Sequence, residues 1–190
     1  CTFAYFNEQN RSHGFPTLYE KSGSKTYPFD NVRGVFSADD ITTVNFEGTL
    51  TDSRNHAEKQ FYFRGKREYA KILSGSSVEC ANLANNHTLD YYEKGFEDTV
   101  KALEAENTGV FWAGEPYVST LRTEGGTVSV VMLSTSSIDI KNKSKFAEIK
   151  KQIERYKSPN TIVVVNLHWG VERAAKPSQW QTETARELVD

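Results

Sequence analysis

Apolar and polar positions alternate with two different periods along the chain, and the switches between them lay out its elements. Ile41-Thr42-Thr43-Val44-Asn45-Phe46 is rich in β-branched residues and predicts a strand, as do Val78 to Ala84, Val110 to Trp112, Tyr117 to Arg122 and Thr127 to Ser134. Gly125-Gly126 sits between the last two and predicts a hairpin turn. Gln60-Phe61-Tyr62-Phe63 predicts a short aromatic strand, followed by a helix from Lys66 to Leu73. Thr161 to Leu167 is an almost continuous β-branched run, the pattern of a strand buried on both faces. Helical spacing returns from Lys94 to Glu106, with Phe96, Val100 and Leu103 on one face and a Glu97/Lys101 pair one turn apart. Asn107 and Gly109 stop that helix. Lys145 to Lys157 carries Phe146, Ile149, Ile153 and Tyr156 on one stripe before Ser158-Pro159-Asn160 breaks it. Ser178 and Gln181, following Pro177, predict a capping-box start for a last helix that stacks Trp180, Thr184 and Leu188. Strands alternating with helices predict the α/β class (α+β mixed) with mixed sheets.

Composition narrows the function classes. The 190 residues are 37% hydrophobic and 25% charged, which is the make-up of a folded chain and the length of one domain over 1–190. A net charge of -2 gives no global basic field, so nucleic acid is not an expected partner. The apolar runs fall far short of the ~20 residues of a membrane span. The stretch Lys141 to Lys157 is locally basic, seven Lys or Arg against two Glu, and its apolar stripe reads as a solvated helix face ahead of an anion-binding patch. Two cysteines make no disulfide scaffold; Cys80, in an apolar run, reads as a buried thiol, and one structural disulfide stays open. His13 and His56 lie in polar loops and read as surface residues. The sequence opens on Cys1 and ends at Asp190 inside a predicted helix, so both ends read as truncated, with any targeting segment outside it.

Chemistry gathers after three of the strands. The first runs into Asn45-Phe46-Glu47-Gly48, the second into Asn85-Asn86-His87 and the third into His168-Trp169-Gly170. In open α/β sheets ligands bind outside the carboxyl ends of strands, which would bring Glu47, Asn86, His87 and His168 to one crevice. Oxygen donors and imidazole without thiolate suit Mn, Mg, Fe or Zn, and a pair of such ions can activate water. Each feature alone has a plainer structural reading: an Asn-His turn, a packed histidine, a solvated glutamate. Asp90, three residues after His87, either orients that imidazole or caps the helix that begins near Tyr91.

Asn45-Phe46-Glu47-Gly48-Thr49-Leu50-Thr51, Leu83-Ala84-Asn85-Asn86-His87-Thr88-Leu89-Asp90-Tyr91, Ala113-Gly114, and His168-Trp169-Gly170-Val171-Glu172 with Pro177 and Gln181 stand in one order over roughly Ile41 to Asp190. In that order they resemble the CapA-type capsule-synthesis family of the poly-γ-glutamate system. The resemblance implies a calcineurin-like metallophosphatase fold, a layered sandwich of two mixed β-sheets flanked by helices. It implies that Glu47, Asn86 and His168 are ligands of divalent metal (Mn, Zn or Fe, singly or as a pair). It assigns His87 the catalytic contact to a scissile phosphate or leaving group; beside these, Asn45, Asn85, Asp90 and Trp169 are candidates for supporting or substrate-facing roles. Glu47 stands where the wider metallophosphatases carry Asp. The family's Gly-Asp and Gly-His-x-Pro-His segments fall outside this sequence, in keeping with truncation.

Three functions are open at this point. One is a metal-dependent hydrolase cutting a phosphoester, a γ-glutamyl polymer or a cell-wall linkage. The second is a non-catalytic capsule export or anchoring component with a vestigial site, and the third is a polymer-binding module. The implied partners are an anionic polymer such as poly-γ-glutamate or a phosphorylated substrate, together with other capsule-synthesis membrane proteins. The implied place is the bacterial cell surface, with membrane anchoring through a segment outside this sequence.

Overall fold

The computed structural model describes residues 1–9, 11–136 and 140–189. It has the mixed α/β character expected, and the described strands form three sheets of three. The chain divides into two compact units, Cys1–Phe111 and Trp112–Asp190.

The first unit holds two sheets. In the parallel one, β2 (Thr43–Asn45) and β6 (Gly109–Phe111) flank β5 (Cys80–Asn82), and Asn45 is in register with Asn82. In the other, β1 (Tyr5–Phe6) runs antiparallel and β3 (Thr49–Leu50) parallel to the central β4 (Phe63–Gly65). The short helices α1 (Phe15–Ser22), α2 (Arg33–Phe36) and α3 (Ala70–Ser74) precede the long α4 (Tyr92–Ala105). β5 is buried throughout, so its small side chains sit where neighbouring elements come close. Gly65 is needed for the same reason: a Cβ there would meet the Phe3 carbonyl oxygen at 2.0 Å.

Two elements differ from their sequence pattern. The aromatic run 60–63 pairs only from Phe63 onward, because Asn7 takes up the backbone before it, donating from Nδ2 to the Gln60 carbonyl (2.8 Å) and accepting the Tyr62 N–H (3.0 Å). In α4 the buried face is Gly95, Asp98, Thr99, Ala102 and Leu103, while Phe96 and Val100 are only half-buried. Hydrogen bonds turn the helix that way: the Leu50 N–H donates to Thr99 Oγ1 (2.8 Å) and the Thr51 hydroxyl to Asp98 (2.6 Å). Burial pushes the Asp98 carboxyl up, but the Lys94 and Thr51 bonds outweigh it and hold it below its ordinary value.

Among its described residues the second unit has one three-stranded sheet and two long helices. β7 (Tyr117–Thr123) and β8 (Gly126–Ser136) form the expected hairpin, turned at Gly126 with φ +127°. β9 (Thr161–His168) returns parallel to β8 after α5 (Lys143–Tyr156), pairing Ser129 with Thr161 through to Ser136 with His168. Ile149 of α5 seals Val131 and Leu133 of β8, joined by Phe146, Ile153, Val163, Val165 and Leu188. β9 is half-buried rather than covered on both faces, since it ends the sheet and leaves Ile162 53% exposed; the enclosed strand is β8. The last helix, α6 (Gln179–Val189), opens with the predicted reciprocal cap: the Ser178 N–H donates to Gln181 Oε1 (2.9 Å), and the Gln181 N–H to Ser178 Oγ (3.3 Å).

Cys1 and Cys80 are both free thiols, and burial pushes the Cys80 thiol up to about 11. His56 is not the surface residue its loop suggested: its ring stacks on Tyr62 at 3.9 Å and meets Tyr91 edge-on. Among the described residues no helix is long and apolar enough to cross a membrane.

In the first unit Glu8 ties together segments far apart in sequence. Its carboxylate accepts from Arg64 Nε (2.6 Å) and Nη2 (2.8 Å), from Arg54 and from the Tyr91 hydroxyl. The Arg64 hydrogen bonds hold its carboxyl down from 4.5 to about 2, against the opposing effect of burial. A depressed carboxyl adds stability above its unfolded value that is lost as pH falls through its folded value. Glu8→Gln should therefore cost about 1–3 kcal/mol at neutral pH in urea unfolding. The gap from wild type should close as pH falls from 4.5 toward 2. In the second unit, Ser178→Ala should cost about 0.5–2 kcal/mol through the lost cap, read as a lower melting temperature.

Candidate functional site

The loops that follow β2 and β5 leave neighbouring parallel strands in the same direction, so their first residues meet. Phe46 donates its N–H to the Asn82 carbonyl (2.9 Å), carrying the β2–β5 ladder one residue past the strand. Gly48 takes φ +123° here, and a Cβ on it would press on Phe63 Cβ at 3.0 Å.

Asn85 fastens the two loops. It is buried, and its Nδ2 donates to the Phe46 carbonyl (2.8 Å) and to Asn45 Oδ1 (3.3 Å). Its Oδ1 accepts the His87 N–H (3.0 Å), an Asx turn that swings His87 back toward the β2 loop. Thr88 closes the turn through its hydroxyl, which donates to the Leu83 and Asn85 carbonyls.

His87 is buried, and Phe63 lies against its ring at 4.2 Å. Its Nδ1 is 2.8 Å from Asp90 Oδ2. A carboxylate can only accept, so the proton of the neutral imidazole sits on Nδ1 and the lone pair on Nε2. Nε2 lies 3.7 Å from Glu47 Oε1, too far for a hydrogen bond and close enough for a small ligand atom to touch both.

The Asp90 side chain is fully buried and would be costly as a lone charge. Three donors hold it: His87 Nδ1, the Phe63 N–H (2.6 Å) and Lys59 Nζ (2.6 Å). Lys59 also donates to the Asn86 carbonyl (2.8 Å), which anchors the turn from outside. Of the two roles open to Asp90, the bond to His87 is the one formed, and α4 begins at Tyr92 with Tyr91 as N-cap and no side-chain cap. Sequence reasoning missed Lys59 and Phe63, because a lysine between Glu58 and Gln60 reads as solvated loop.

Asn86, on the loop after β5, is exposed, and Glu47, on the loop after β2, is half-buried. Glu47, Asn86 and His87 offer a carboxylate, an amide and an imidazole, donors that suit Mn, Zn or Fe. Among the described residues no three His, Cys, Asp or Glu side chains form a group able to hold a metal. One carboxylate, one amide and one imidazole would leave most of an ion's ligands to water or substrate, unlike a closed structural site.

His168 ends β9 in the second unit, where the chain turns at Gly170 with φ +110°. Trp169 meets Trp180 edge-on at 5.1 Å, and a Cβ on Gly170 would come within 2.9 Å of Gln181, so the turn is pressed against the start of α6.

Known proteins bear on this arrangement. The family model described as bacterial capsule synthesis protein PGA_cap matches residues 8–190. The chain is 31% identical over 186 residues to the capsule biosynthesis protein CapA of Bacillus anthracis, covering 86% of this chain and 45% of that protein. It is 28% identical over 184 residues to the PGA biosynthesis protein CapA of Bacillus subtilis, covering 85% of this chain and 47% of that protein. A probable polyglutamine synthesis accessory protein of Mycobacterium tuberculosis is 23% identical over 180 residues. The chain spans about half the length of the curated relatives it matches. It belongs to the bacterial capsule synthesis PGA_cap family.

Proposed function

We propose that this chain carries a hydrolase-type site for capsule or poly-γ-glutamate biosynthesis, with His87 as its general acid. The observation that supports this reading is the buried Asp90–His87 pair, which leaves Nε2 directed past Glu47. Asp90 fixes the tautomer and would stabilise the imidazolium; Lys59 and the Phe63 N–H donate to its buried carboxylate and hold it in place. Asn45 and Asn85 hold the two loops in register, so the Glu47–His87 spacing does not drift. Taking up a second proton at Nε2 to become the imidazolium, His87 would pass that proton to the departing oxygen or nitrogen of a phosphoester or γ-glutamyl bond.

Glu47 and Asn86 are the proposed holders of a divalent ion (Mn, Zn or Fe). When bound, such an ion would polarise the scissile group and acidify water. The role that the family resemblance implies for His168, a ligand, and the candidate role of Trp169, a substrate contact, are tested by metal uptake and turnover of their alanine variants. The proposed partners are an anionic polymer or phosphorylated substrate and the membrane proteins of capsule synthesis; the proposed location is the bacterial surface. A second reading, a non-catalytic export or anchoring component, draws on the small number of metal-ligating side chains gathered among the described residues.

Assay of the purified protein with Mn against phosphodiester, phosphomonoester and poly-γ-glutamate substrates separates the two. Hydrolysis of one substrate, lowered ~10²- to 10⁴-fold by His87→Ala with metal uptake intact, supports the catalytic reading. No turnover of any of them, or full activity in His87→Ala, leaves the anchoring reading. Asp90→Asn should cost about 10- to 100-fold in turnover, since the imidazole loses its orienting carboxylate. Metal should be weakly held: Mn titration should saturate reversibly, with Glu47→Ala abolishing it, whereas tight stoichiometric metal after dialysis would contradict a site with so few protein ligands.

A further inference from the structure

An aromatic strip runs outward from His87, and the catalytic reading makes no use of it. The Phe63 ring lies 4.2 Å from the imidazole, Phe6 lies 5.7 Å from Phe63, and Phe61 lies 5.3 Å from Phe6. Phe6 of β1 stands opposite Phe63 in the antiparallel ladder, and Phe61, two residues before Phe63, reaches the same Phe6 ring. The strip is not core: Phe6 and Phe63 are half-buried, and Phe61 is 44% exposed. Its backbone is nonetheless held. Asn7 bonds to Gln60 and Tyr62, and Asp90 Oδ2 accepts the Phe63 N–H. One carboxylate therefore positions both His87 and the inner end of the strip. Ordered rings left open to water beside a buried histidine form a wall made in advance for a ligand.

Arg11 marks the outer end. Its guanidinium lies over the Phe6 ring at 4.5 Å, steadied by Nε and Nη2 donating to Gln9 Oε1 (3.2 and 3.1 Å). Among the described residues Nη1 has no hydrogen bond and Arg11 no ion pair. The nearby carboxylate in sequence, Glu8, is already taken by Arg64 and Arg54. An exposed cation with a spare donor thus stands at the far end of the rings.

We propose that this strip is a subsite for a sugar ring bearing a carboxylate, bound next to the group on which His87 acts. The C–H bonds on the flat face of a pyranose carry slight positive charge and settle on the negative face of a phenyl ring. The exposed Phe61 ring offers that face, and Arg11 offers the charge-assisted hydrogen bond to the carboxylate. Neighbouring rings are inclined by 41° and 43°, so no two of them are parallel plates that could grip a flat base. An extended glutamyl chain carries charge for Arg11 but no flat apolar face for the rings. That the strip serves catalysis rests on the hydrolase reading above; that it binds the sugar does not depend on turnover.

The test is a binding measurement. The whole protein is titrated with hyaluronan tetrasaccharide, an acidic glycan, and with chitotetraose, a neutral one, and the ligand protons are followed by NMR. The acidic glycan should bind more tightly, with its ring C–H signals moved upfield by the phenyl faces. Phe61→Ala should weaken that binding about tenfold, Phe61→Tyr should keep it, and Arg11→Gln should erase the preference over chitotetraose. Tyr27→Ala, which removes a comparably exposed ring elsewhere, should change nothing. No binding of either glycan, equal loss in Phe61→Ala and Tyr27→Ala, or tighter binding of AMP or tetra-γ-glutamate would overturn the proposal. Glycan binding without hydrolysis of any substrate would fall on the His87 reading alone, and hydrolysis without glycan binding on this one.

Discussion

A carboxylate with no exposed surface organises the first unit. Asp90 is tolerable in the interior only because an imidazole, a backbone N–H and an ammonium converge on its two oxygens. Those three donors come from three separate places: the turn after β5, the start of β4 and the loop before it. Satisfying one buried charge therefore fixes the relative position of all three. Removing any one donor would leave the others facing a partly unpaired ion, which is costlier than never having buried it. The position of His87 follows from this constraint, with Asn85 setting the matching constraint on the β2 loop.

The same logic runs through the rest of that unit. Polar side chains are buried where they finish backbone ladders: Thr99 takes the last N–H of β3, and Asp98 takes the hydroxyl of the next residue. Glu8 does the corresponding work at the surface edge, joining Arg64 of β4 to Tyr91 ahead of α4. The second unit leans on aliphatic contact between α5 and the β8–β9 pair, with local side-chain caps at its helix starts. The first unit adds long-range buried hydrogen bonds to its aromatic and aliphatic core, whereas these caps of the second unit are local.

This difference explains what could be read in advance. Periodicity located β5, the β7–β8 hairpin, α5 and the capping box of α6, because each is a local pattern. The Asn85-Asn86-His87 turn was legible because an Asx turn is written in adjacent residues. Lys59 was not, since its partner lies 31 residues away and nothing in Glu58-Lys59-Gln60 marks it. The buried face of α4 was misjudged by apolar spacing, because Asp98 and Thr99 go inward to meet Thr51 and Leu50 from another part of the chain. For β9, β-branched composition suggested enclosure, but whether a strand is central or at an edge depends on its neighbours, and composition does not carry that.

The sheet of the second unit also has an order in time. β7 and β8 are joined by a two-glycine turn and can zip as a hairpin within about 1–10 μs. β9 cannot follow that route, for a parallel strand must wait until the intervening chain has crossed back. Here the crossing is α5 itself, whose Ile149 must already rest on Val131 and Leu133 for β9 to find its register. The slowest piece of the sheet to assemble is thus the strand that ends in His168, and the geometry of that strand end is inherited from how well a helix first settles on a hairpin.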